Sequence, residues 1–186
     1  DYPGSGRILV HVSPRRGERF RLKLRIPHWS ARTKVSLNGK SYAKPDPGRY
    51  LEIDRRWVRG DLVSLRLDMS LHFWKGEADF EGKCSIFRGP ILLAFDPRFN
   101  EMDPEELPAL DARRMKGRVS RKKGWLPPWM MWEYTANDGR KFRMCDFGSA
   151  GAAGNPYRTW MDVKGVSSTP FSVKNPLRSG RPSGIG

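Results

Sequence analysis

The stretch Phe20-Arg21-Leu22-Lys23-Leu24-Arg25-Ile26 puts an apolar residue at every even position and a cation at every odd one. Successive side chains of a strand point to opposite faces, so this alternation predicts a strand with Phe20, Leu22, Leu24 and Ile26 on a core and the cations in water. A helix would repeat its apolar positions at three and four residues instead. Two more rows follow the same rule: Ile8, Val10 and Val12, and then Val63, Leu65, Leu67 and Met69 interleaved with Ser64, Arg66 and Asp68.

Turn chemistry falls between these rows. Pro27 closes the strand ending at Ile26, Asn38-Gly39 supplies two residues that tolerate positive φ in a tight hairpin, Pro47-Gly48 precedes a short strand at Tyr50-Leu51-Glu52-Ile53, and Gly60-Asp61 restarts the chain before Val63. From Cys84 to Phe95 the chain is almost continuously apolar, broken by Arg88-Gly89-Pro90. Proline cannot donate to a ladder, so a strand, a kink or bulge at Gly89-Pro90, and a second strand through Ile91-Leu92-Leu93-Ala94-Phe95 are expected. Three later strands are expected at Met131 to Thr135, Lys141 to Phe147 and Tyr157 to Val163, with Asn137-Asp138-Gly139 turning between the first two.

These elements specify an all-β chain, an antiparallel β-sandwich of jelly-roll type. The expected organisation is a sandwich over 1–96 and a Pro-rich, basic connection over 97–129 with one helical turn near Pro104-Glu105-Glu106-Leu107. Strands over 130–163 then complete the sandwich or form a small second β unit, and a mobile Ser/Pro/Gly/Arg-rich tail occupies 164–186. No apolar run approaches the roughly 20 residues that span a bilayer, and Asp1-Tyr2-Pro3-Gly4 lacks the order of a signal peptide, so a soluble chain without a membrane partner is expected. A first residue other than Met suits a piece of a longer protein.

Chemistry-bearing residues are scattered. Glu77, Asp79, Glu81 and Asp96 show no special spacing, His11, His28 and His72 form no ligand pair, and no nucleophile elbow, phosphate loop or dinucleotide fingerprint is present. The Gly148–Gly154 stretch is followed by Pro156 and a strand pattern, which describes a loop. Cys84 and Cys145 belong to no metal or disulfide framework and suit buried thiols, with a bridge between them left open.

With 35 Lys and Arg against 20 Asp and Glu, the net charge is +15. That balance favours polyanions. The densest basic stretch joins Arg113, Arg114, Lys116, Arg118, Arg121, Lys122 and Lys123 to Trp125, Trp129 and Trp132. Charge beside aromatics suits single-stranded nucleic acid, the same rings suit sugars, and the plain alternative is a solvated basic loop with tryptophans packed on the sandwich or on another domain. The candidate residues for sugar stacking or interdomain contact are therefore Trp74, Trp125, Trp129 and Trp132, and those for polyanion contact are the seven cations.

Five motifs occur in order over the first ninety residues: Leu24-Arg25-Ile26-Pro27-His28-Trp29, Leu37-Asn38-Gly39, Pro47-Gly48-Arg49-Tyr50, Trp57-Val58-Arg59-Gly60-Asp61 and Phe87-Arg88-Gly89-Pro90-Ile91. Together they resemble the β-sandwich region of glycoside hydrolase family 127, the β-L-arabinofuranosidase-like proteins. Asp146-Phe147-Gly148-Ser149-Ala150-Gly151 and Tyr157-Arg158-Thr159-Trp160-Met161 are similar to a later segment of the same proteins. The resemblance implies an accessory C-terminal module whose catalytic partner, an (α/α)6 barrel, lies upstream and works through a zinc-bound cysteine and a glutamate. No catalytic or metal residue of this chain matches that centre, so no cofactor is expected here and zinc belongs to the barrel. Carbohydrate and a second copy of the chain are further candidate partners, with nucleic acid disfavoured. A free carbohydrate-binding module and a polyanion-binding module are the rival readings.

Overall fold

The computed structural model describes residues 2–121 and 126–166. The first six strands are β1 (Arg7–Val12), β2 (Glu18–Arg25), β3 (Lys34–Leu37), β4 (Lys40–Ser41), β5 (Tyr50–Trp57) and β6 (Asp61–Arg66). Eight more follow: β7 (Leu71–Lys75), β8 (Lys83–Arg88), β9 (Ile91–Phe95), β10 (Leu110–Asp111), β11 (Arg118–Val119), β12 (Met131–Thr135), β13 (Lys141–Asp146) and β14 (Trp160–Lys164). The helical content of the described residues is confined to single 3₁₀ turns such as Pro97–Phe99, Pro104–Glu106 and Phe147–Ser149. The all-β class is therefore the class observed. No helix among the described residues is long and apolar enough to cross a membrane.

Strands β1 to β6 enclose a core of their own. A sheet of order β1-β6-β3-β4 and the antiparallel pair β2-β5 bury Val12, Ile26, Val35, Ile53, Trp57, Val63 and Leu65, with Phe20, Leu22 and Leu24 packed against them. Phe20, Leu22 and Leu24 of β2 face inward, as the alternation requires. Trp57 is the largest of these side chains; its indole N–H donates to the Phe20 carbonyl at 3.0 Å and its ring stacks on Phe20. Asn38 and Gly39 have φ of +50° and +79°, the paired left-handed conformations of a two-residue hairpin. The Asn38 side chain also donates to Asp61 and accepts from the Leu62 amide, tying this turn to the one before β6.

The second unit is an eight-stranded sheet of order β10-β14-β8-β9-β13-β12-β11, with β7 on the other edge of β8. All its pairings are antiparallel except β10 with β14. Its core gathers Ile86, Leu93, Phe95, Trp132, Tyr134, Phe142, Met144 and Met161. The kink expected at Gly89-Pro90 is a full reversal: Arg88 pairs with Ile91, and Gly89 has φ of +56°, open to glycine at the first position of a tight hairpin. A side-chain carbon on Gly89 would lie 2.5 Å from the Met69 methyl carbon, so the hairpin also closes onto the first unit.

The boundary expected after residue 96 differs from the one observed. The two cores part between Leu67 and Leu71, and β8 and β9 belong with the later strands rather than with β1 to β6. The physical reason lies in the apolar run itself. Cys84, Ser85, Ile86, Leu93, Ala94 and Phe95 are buried whichever way they point, so this segment needs sheet neighbours that arrive only with β13 and β14. The 97–129 connection is not bare either, since it contributes β10 and β11 to opposite ends of the sheet. Of the tail expected over 164–186, residues 167–186 lie outside the described residues.

Candidate functional site

Register places aromatic side chains together on the sheet face opposite the second core. Trp74 of β7 pairs with Ser85 of β8, and Ser85 pairs with Trp160 of β14. Directly paired residues share a face, so the two indoles flank the Ser85 hydroxyl with backbones about 10 Å apart, two strand spacings. Phe80 stacks on Trp160 at 4.7 Å between ring centroids and remains partly in solvent. One register step away on the same face, His72 stacks on Phe87 at 5.3 Å. Burial pushes the His72 imidazole down to about 4, so it is neutral in the folded chain near neutral pH. The result is an aromatic strip over the buried Ser85 and His72, in which the partly exposed rings of Trp74, Trp160 and Phe80 meet solvent and suit a sugar ring or an apolar partner surface.

A second locus is built on buried charge. Asp96 is fully buried and accepts from the Arg98 amide, Nε and Nη2, from the Gly151 amide and from Asn155 Nδ2. Burial pushes this carboxyl up, but the Arg98 guanidinium and the two amides outweigh it and hold Asp96 below the usual carboxylate range. Arg98 also donates to the carbonyls of Ser149 and Leu126, while Asp146 accepts from the Met130 amide and the Ser149 hydroxyl. The knot thus fixes the loops that carry Leu126, Trp129, Phe147 and Tyr157, all exposed. Trp129 is anchored through its backbone amide to Ser149 Oγ, 2.9 Å away, which leaves the indole in solvent.

The four tryptophans singled out in the sequence therefore part company. Trp74 is half-buried in the aromatic strip and Trp129 is 51% exposed, but Trp132 is 3% exposed, a core residue beneath Arg88. It alternates with Glu133, so its strand turns it inward, and Trp132 is corrected from surface contact to packing. Trp125 lies outside the described residues. Trp160 and Phe80 were missed, because only the pairing of β7, β8 and β14 brings them beside Trp74.

The basic stretch is partly neutralised within the chain. Arg113 pairs with Asp111 at 3.2 Å, and Arg118 pairs with Glu133, which also takes Arg143. Arg114, Lys116 and Arg121 are exposed, while Lys122 and Lys123 lie outside the described residues.

Cys84 and Cys145 are free and buried. Burial and the charges of Asp96 and Asp146 push the Cys145 thiol up to about 12, and burial raises Cys84 as well. The described residues hold no cluster of three His, Cys, Asp or Glu able to take a metal ion. Ellman's reagent at pH 8 should find no thiol in the folded chain within minutes and two after unfolding in urea. Prompt native reaction would place at least one sulfur at the surface.

Residues 1–69 match the family model described as the middle domain of the GH127 β-L-arabinofuranosidases. That span coincides with the first unit and its separate core. Three solved structures have the same fold over most of the chain. A protein titled glycoside hydrolase superposes with a TM-score of 0.74 at 20% identity, over 88% of this chain and 31% of its own. The GH127 β-arabinofuranosidase BT3674 gives 0.70 at 21% identity, over 87% of this chain and 30% of its own. Ara127N-Se, a GH127 β-L-arabinofuranosidase from Geobacillus stearothermophilus T6, gives 0.68 at 24% identity, over 88% and 29%. The chain thus spans about a third of the length of these proteins. No curated protein matches its sequence.

Proposed function

We propose that this chain is a non-catalytic β module of a longer, GH127-like glycoside hydrolase, whose separate barrel domain cleaves β-L-arabinofuranoside-like bonds. The observation that carries the reading is that nine-tenths of the chain takes the fold of one third of such an enzyme. A fold recurs across functions, so the family-model match over the first unit supplies the second support. In this reading the module holds the barrel or a second copy of itself through its exposed apolar side chains. The strip of Trp74, Trp160 and Phe80 favours carbohydrate contact as a further role, since partly exposed aromatic rings match the apolar face of a sugar.

Assays on a panel of aryl furanosides and pyranosides test the proposal. Turnover is expected from the polypeptide encoded by the complete reading frame and not from this chain alone. Turnover by this chain alone would overturn its non-catalytic role, and silence from both would remove the link to hydrolysis.

A further inference from the structure

Two cationic sheet faces of the first unit differ in how their charge is met. On the β2-β5 pair, Arg19, Arg21 and Lys23 meet Asp54 and Glu52 across the ladder, with pairs as close as 2.7 Å. The outer face of the β1-β6-β3-β4 sheet has no such relief. Arg66 lies directly opposite Arg7 on one side and Lys34 on the other, a row of three cations on adjacent strands. Like charges so placed repel, and no carboxylate among the described residues pairs with any of them. The next outward row is Leu9, Ser64, Ser36 and Ser41, again in register. The three cations and the three serines line one shallow basin of about 510 Å³ with no acidic residue in its wall.

We propose that this basin binds acidic carbohydrate, a glycan chain bearing uronate carboxylates. Three cations spaced at the strand interval meet carboxylates along such a chain, and the serine row meets its hydroxyls. Bases would find no ring to stack on in the basin, which disfavours single-stranded nucleic acid. The choice of a carbohydrate over other polyanions rests on the glycoside hydrolase reading, but its readout is binding by this chain rather than hydrolysis, so each can fail without the other.

Affinity electrophoresis of the chain through gels holding polygalacturonate, neutral arabinan or single-stranded oligonucleotide tests it. Polygalacturonate is expected to retard the wild type, less so as salt rises, with arabinan and oligonucleotide well behind. The double variant Lys34→Gln/Arg66→Gln should weaken the retardation about tenfold or more, the loss of two charge-assisted contacts. Arg21→Gln/Lys23→Gln removes the same charge from the neutralised face and should leave it nearly intact. Removing repulsion should not unfold the sheet, and a thermal midpoint at or above that of the wild type checks this. Equal losses in both double variants would reduce the effect to net charge, while no retardation, or retardation as strong by oligonucleotide, would overturn the site.

Discussion

Replacing Asp96 by Asn will destabilise the protein by about 3 kcal/mol or more, the usual result of breaking a buried ion pair from one side. The size follows from what converges on the carboxylate: three donors of Arg98, the Gly151 amide and the Asn155 amide. An Asn amide would turn N–H groups toward some of these donors and leave the Arg98 charge, itself largely buried, without its counter-ion. Urea unfolding at pH 7 reads the loss, and an unchanged midpoint would mean that solvent already serves these groups.

The same residue sets part of the acid response. Asp96 is held below the ordinary carboxylate value when folded, so its stabilisation is complete above about pH 4 and fades as pH falls through the lower native value. His72 acts over a higher window. Its native value of about 4 lies below the ordinary 6.5, so the folded state resists protonation, and stability falls from 6.5 down to about 4. Wild-type stability should therefore decline in two stages. His72→Phe should flatten the upper one and Asp96→Asn the lower.

Trp57→Ala should cost about 4 kcal/mol, within the range for emptying a fully buried aromatic site. The indole is unexposed, stacks on Phe20 and lies under the Arg55 guanidinium, 5.2 Å from the ring centroid. Trp57→Phe keeps the stack but strands the Phe20 carbonyl, and should cost about half as much. A core as small as that of the first unit has little reserve. Hydrogen exchange should thus show amides of β1 to β6 losing protection in Trp57→Ala while those of β8 and β13 keep theirs. Simultaneous loss in both units would show instead that they unfold as one.

The longer strands of the first unit were legible in sequence because each buries one face, whereas the short Lys34–Leu37 and Lys40–Ser41 carry too few residues to show a period. Phe20 to Ile26, Ile8 to Val12 and Val63 to Leu65 write their orientation into alternate residues, and Asn38-Gly39 marks the hairpin between Leu37 and Lys40. The second unit hid its organisation. Its central strands are apolar on both faces, so Cys84 to Phe95 carries no period to show which way it points, and its neighbours come from far along the chain. The same physics governs the sites. Arg66 and Ser64 were visible as outward residues, and Trp160 as an aromatic in a strand, but what stands opposite each is a property of pairing. Asp96 looked like an ordinary surface acid because nothing local shows its burial, and two of its donors, Gly151 and Asn155, come from a loop 55 or more residues away.

The β8 strand divides one of its edges between two partners: β9 takes Phe87 and Arg88, while β14 takes Lys83, Cys84 and Ser85. During synthesis the β9 share is made at once by a hairpin, whereas the β14 share waits for residues 75 or more positions later, Trp160 against Ser85 being the nearest pair. A nascent chain that has emerged only through β13 therefore displays an unpaired ladder beside Lys83, Cys84 and Ser85. Chaperone capture, or β-sheet aggregation between neighbouring chains on one polysome, would act in that interval. It ends when β14 emerges and docks.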